Sequence, residues 1–136
     1  MTVFYSVYDE EKNLKKLCSL CINESQSAAK EIYIADKNIY MQRIAFNDKY
    51  IFLMLTKYIT IDDVKMNVLR ITDDGSETVK IAEYDTYATS SYFYGYLQLI
   101  NDKLIVYDFN YNEIDKTNIS SIMVMDFDGN MLDWDI

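Results

Sequence analysis

The sequence predicts an all-β fold of antiparallel four-stranded repeats, and three observations carry that expectation. Helical periodicity is weak along the whole chain. Ten short runs rich in Tyr, Ile, Val and Phe are split by clusters of Asp, Asn, Gly and Ser, the composition of strands and turns. An internal shift of 54 residues also lays NDKYIFLML (47–55) over NDKLIVYDF (101–109) without a gap.

The runs follow in order. VFYSVY (3–8) opens as a strand at once, and LKKLCSLC (14–21) follows the charged stretch DEEK. EIYIA (31–35) comes after NESQSAAKE, which supports a helical turn at most. NIYMQRIAF (38–46) and KYIFLMLT (49–56) flank Asn47-Asp48, and NVLRI (67–71) and VKIAEY (79–84) flank Asp74-Gly75. YFYGYLQLI (92–100), KLIVYDF (103–109) and SIMVMDF (121–127) then repeat the second group, and SIMVMDF leads into Asp128-Gly129. The shift pairs Asn47, Asp48, Lys49, Ile51, Asp74 and Gly75 with Asn101, Asp102, Lys103, Ile105, Asp128 and Gly129. Turn residues and apolar runs thus coincide in one register.

A period near 50 residues in four strands is the size of a propeller blade. The chain reads as one domain over 1–136, with units at roughly 1–37, 38–91 and 92–136. The first unit lacks its opening strand, giving about two and a half blades. A β-sandwich or a β-meander is the alternative.

"NDKLIVYDF…SIMVMDFDGNML" resembles the TolB-like, six-bladed propellers of bacterial surface and periplasmic lipoproteins, over about residues 38–136. The resemblance implies a propeller fold and a periplasmic or cell-surface setting, and implies little about activity.

Composition narrows the chemistry. With 136 residues, 13 basic against 22 acidic and a net charge of −9, the surface repels phosphate backbones and anionic bilayers. No nucleic-acid partner is expected. No apolar run approaches the roughly 18 residues that span a membrane, so no membrane insertion is expected in this segment. MTVFYSVYDEEK lacks the features of a secretory signal, and a strand beginning this early suggests a natural chain that starts further upstream. The chain has no histidine, which removes Ser-His-Asp and Cys-His catalysis and imidazole ligation.

Each candidate motif has a plainer reading. Asp126-Phe-Asp-Gly-Asn130 places its glycine one residue too early for a calcium loop and is followed by no bidentate glutamate, so it reads as a hairpin turn. Cys18-Ser-Leu-Cys21 has no second ligand pair and lies on a strand, where residues three apart face opposite ways; buried free thiols are expected. Tyr92, Tyr94 and Tyr96 alternate onto one face and are expected to pack between blades, whereas Tyr84 and Tyr87 sit at a link and are freer to bind. Asp62 with Asp63, and Glu113 with Asp115, form carboxylate pairs in the polar segments 56–66 and 110–120, where solvated charge is the ordinary role.

The expectation is a non-enzymatic binding or scaffold module, with no catalytic residues, no metal and no cofactor. Its inter-strand loops would present a partner face carrying Asp63, Asp85, Tyr87 and Asp115. A carbohydrate-binding or glycan-processing module is one alternative, and a fragment of a larger propeller is the other. Partners are a protein or a glycan, and unclosed blades call for a homo-oligomer or a longer chain.

Overall fold

The structure is a computed structural model that describes residues 1–22, 29–60, 63–86, 93–112 and 116–133. It is all-β, and no helix occurs among the described residues. Its strands are β1 (Thr2–Asp9), β2 (Leu14–Cys21), β3 (Lys30–Ala35), β4 (Ile39–Phe46), β5 (Tyr50–Tyr58), β6 (Val64–Thr72), β7 (Thr78–Thr86), β8 (Phe93–Ile100), β9 (Lys103–Asn112) and β10 (Thr117–Met125). They form three antiparallel sheets, ordered β1-β2-β3, β4-β5-β6-β7 and β10-β9-β8. Among the described residues, every strand pairs only with its neighbours in the chain, as hairpin after hairpin.

Alternation makes the three sheets a stack. In β5 the residues Ile51, Leu53 and Leu55 turn to one side, where they pack with Leu69 and Ile71 against Leu17 and Ile32 of the first sheet. Phe52 and Met54 turn the other way, with Met66 and Val68, onto Leu104, Val106 and Met125 of the third sheet. The central sheet is therefore apolar on both faces. Its strand β5 is buried from Ile51 through Thr56.

The segment 56–66 is less a loop than the sequence suggests. β5 runs to Tyr58 and β6 begins at Val64, so Val64 and Met66 are core residues, 2% and 0% exposed. The polar residues of this stretch alternate with those apolar ones along the strand, which hides the pattern in composition alone.

The repeat register also needs correction. The face that the third sheet turns toward the second carries Leu104 and Val106, with Met125 opposite Leu104. The corresponding face of the second sheet carries Ile51 and Leu53, with Ile71 opposite Ile51. β9 thus matches β5 at an offset of 53, and β10 matches β6 at 54. The cause is the turn. Asn47 accepts hydrogen bonds from the Lys49 and Tyr50 amides and holds a four-residue loop between Phe46 and Ile51. Asn101 instead adopts a left-handed φ of 56°, and Ile100 pairs directly with Lys103 across two residues. The same three letters, NDK, build two different turns.

The two Asp-Gly turns do correspond, with Gly75 at φ 75° and Gly129 at φ 87°. They are longer than the two-residue turn that Asp-Gly suggests. Gly75 N–H donates to the Thr72 carbonyl and Gly129 N–H to the Asp126 carbonyl, each closing a type I-like turn that ends on a left-handed glycine.

Candidate functional site

At the end of the stack where β5 passes into β6, Lys65 stands between two acidic residues. Its ammonium lies 3.5 Å from Asp63 and pairs with Asp85. The hydrogen bond to Asp85 and the charge of both carboxylates hold the Lys65 pKa above its ordinary value. Asp63 sits at the close of a tight link, its carbonyl accepting from the Ile59 and Thr60 amides. Of the four residues expected on a partner face, Asp63 and Asp85 are thus brought together, but around a lysine that offsets one of their two charges. Tyr87 and Asp115 lie outside the described residues, as do Asp62 and Glu113.

Behind this end, in the seam between the second and third sheets, is a polar group that the sequence hides. Asp108 lies inside the apolar run KLIVYDF and is 6% exposed. Its neighbours across the sheet are Gly95 and Ser121, two of the smallest residues available. From the facing sheet comes Tyr84, in register with Met66 and through it with Thr56. Asp108 Oδ1 and the Tyr84 hydroxyl oxygen are both buried without a hydrogen-bond partner among the described residues. Burial pushes the Asp108 carboxyl up to about 6. Burial, with the nearby Asp108 carboxyl, pushes the Tyr84 phenol well above its ordinary value. Tyr84, expected to be free for a ligand, is therefore a seam residue. A strand residue whose neighbours across the sheet are Gly and Ser was the available signal, and it required the pairing to be known.

The opposite end differs. Here the first and second sheets part, leaving an open groove of about 990 Å³. Phe4 and Phe46 meet at its floor with ring centroids 4.6 Å apart. Lys30, Asn47, Asp48 and Asp73 stand around it. Thr2, Ser19 and Cys21 occupy the wall of the first sheet, and their small side chains leave the space unfilled. At the far end of the same seam, the Lys15 ammonium lies 3.5 Å from the centre of the Tyr40 ring and joins the two sheets.

The remaining motifs are taken up by the fold. The Asp126 carboxylate accepts from the Asp128 amide, the Asn130 amide and the Asn130 side chain, which draws its pKa below the ordinary value. Asp128 pairs with Arg70. The oxygens of DFDGN thus serve the turn and the seam. Cys18 and Cys21 are both free thiols, Cys18 buried and Cys21 half-buried, with partners Tyr5 and Thr2 on opposite faces. Tyr96, expected between blades, is 60% exposed on the outer face of the third sheet, where it meets Tyr107 at 6.1 Å. No described strand lies beyond it.

No family model, curated protein or solved structure matches this chain.

Proposed function

We propose that the protein is a non-enzymatic scaffold module of propeller type, and that its end sheets are covered by those of a second copy. One observation carries this reading: the outer faces of the first and third described sheets are apolar. The outer face of the last sheet presents Tyr96 and Ile122, 60% and 51% exposed, beside half-buried Ile105 and Tyr107. The outer face of the first presents Val3, Val7 and Ile34. Residues of the same kind are buried on both faces of the central sheet, which is what such strands do when they are covered. Two copies supply six sheets, within the range of about four to eight at which propellers close. The resemblance to six-bladed TolB-like propellers supports the same count.

Sedimentation at micromolar concentration tests the reading. The expected result is a dimer or larger closed assembly that Ile122→Glu converts to a folded monomer. A monomer in the unaltered protein, or an assembly indifferent to Ile122→Glu and Tyr96→Glu alike, overturns it.

A further inference from the structure

We infer that the groove between the first and second sheets is a binding site for a neutral saccharide. This is a different place from the acidic and tyrosine-bearing end considered above, and the inference stands however the end sheets are covered.

The groove exists for a structural reason. Midway along this seam, Leu17 joins the buried cluster of Ile51, Leu53 and Leu55 and closes the space. Two residues further along, the same face of β2 offers Ser19 and then Cys21, paired with Phe4 and Thr2 of β1. Small side chains there cannot reach the Asn47 and Asp73 turns of the second sheet. The turns themselves are held in place: the Asp73 amide donates to the Lys49 carbonyl at 3.2 Å, and Asn47 caps its own loop. The walls are thus preformed. A volume of about 990 Å³ lies at the upper end of the roughly 300–1,000 Å³ typical of small-molecule sites.

Its chemistry selects among ligands. Phe46 is 51% exposed although it packs on Phe4, so an apolar ring faces the opening, braced from behind. A pyranose ring has an apolar C–H face that stacks on such a surface. Around the ring stand groups of both hydrogen-bonding senses. Asp48 and Asp73 are acceptors, and neither carboxylate is engaged by another described residue. Lys30 is a donor, and Thr2 and Ser19 serve as either. Sugar hydroxyls both donate and accept, and so match this mixture. A cationic side chain would meet the carboxylates but also Lys30, and an anion would meet Lys30 but also both carboxylates. A neutral polyol satisfies all of them.

A glycan array covering neutral hexoses and N-acetylhexosamines, followed by amide NMR titration with the best neutral binder, tests the inference. Saturable shifts centred on Phe46, Asn47, Asp48 and Asp73 are expected. Phe46→Ala should weaken binding about tenfold or more, the effect of removing an aromatic platform. Asp73→Ala, at an exposed turn position, gives a second reading if Phe46→Ala does not fold. Absence of binding by any neutral glycan overturns the inference, as do shifts that map elsewhere. A lysine- and arginine-rich peptide that binds the groove when sugars do not also overturns it, in favour of a cationic ligand.

Discussion

Gly129 lies directly against the backbone of Ile81: a Cβ at residue 129 would stand 2.1 Å from the Ile81 carbonyl oxygen. The third sheet's Asp-Gly turn therefore rests on β7 of the second. Gly75 stands in the same relation to Ile32 of β3, but with more room, 3.1 Å to the carbonyl oxygen. The difference ranks two substitutions. Both glycines have left-handed φ, so Gly→Ala at either costs about 1–2 kcal/mol in backbone strain. At Gly129 the clash falls on backbone that cannot yield without parting the sheets, so Gly129→Ala should cost roughly 3 kcal/mol or more in all. Urea denaturation of the two variants checks the order. Equal losses would mean that the contact with Ile81 does not constrain the stack.

Arg70 should be the strongest polar tie between the same two sheets. Its side chain is 14% exposed, donates to the Phe127 carbonyl at 2.8 Å, pairs with Asp128, and lies 4.9 Å from the Tyr50 ring. Arg70→Leu leaves the carbonyl and the carboxylate without their donor, and a loss of about 2 kcal/mol is expected. In a double-mutant cycle, Arg70→Leu and Asp128→Asn should fall short of additivity. Strict additivity would place the two side chains apart in solution.

The buried carboxyl of Asp108 predicts a falling stability with rising pH. A group whose pKa is raised on folding, here from 3.8 to about 6, holds its proton more tightly in the native state. Its contribution is therefore complete below pH 4, is lost between about pH 4 and 6, and changes no further above that. The loss could reach about 3 kcal/mol. Asp108→Asn keeps the shape without the ionisation, so the variant should match or exceed the unaltered protein at pH 7 and lack this part of the pH profile. Denaturation curves from pH 4 to 8 give the comparison. If the two profiles run parallel, Asp108 is not the group responsible.

The two thiols should separate cleanly in reactivity. Burial pushes the Cys18 pKa up, and the residue is 6% exposed, whereas Cys21 opens onto the groove. Timed labelling with a thiol reagent should modify Cys21 in the native protein and Cys18 only on unfolding. Simultaneous labelling of both would contradict the burial of Cys18 opposite Tyr5.

The strands were legible because each carries its own evidence: ten apolar runs, with Asp, Asn and Gly between them, give the ten strands found among the described residues. The register was not. Asn47 and Asn101 begin identical triplets, and their different turns depend on whether Tyr50 stays in the loop or Leu104 enters the seam. Similarly, Asp63 and Asp85 share an end of the stack, as a meander dictates, but Lys65 between them is visible only once β6 is paired with β7. Asp108 was missed because burial belongs to a seam between sheets, and no local pattern announces which face of KLIVYDF will be covered. The groove was missed for the converse reason: Ser19 and Cys21 matter through the space they do not fill.

The hairpin-after-hairpin order of the strands has a kinetic consequence. Pairing within each sheet requires only short loops to close, a small entropic barrier for an all-β chain. The slow events are then the two dockings of sheet on sheet, whose contacts are distant in sequence. β5 and β6, apolar on both faces, form a hairpin that neither outer sheet can replace, so the central unit is the natural nucleus. Substitutions inside it should slow folding, and so should those at the seams, Gly129 among them, where the slow step makes its contacts.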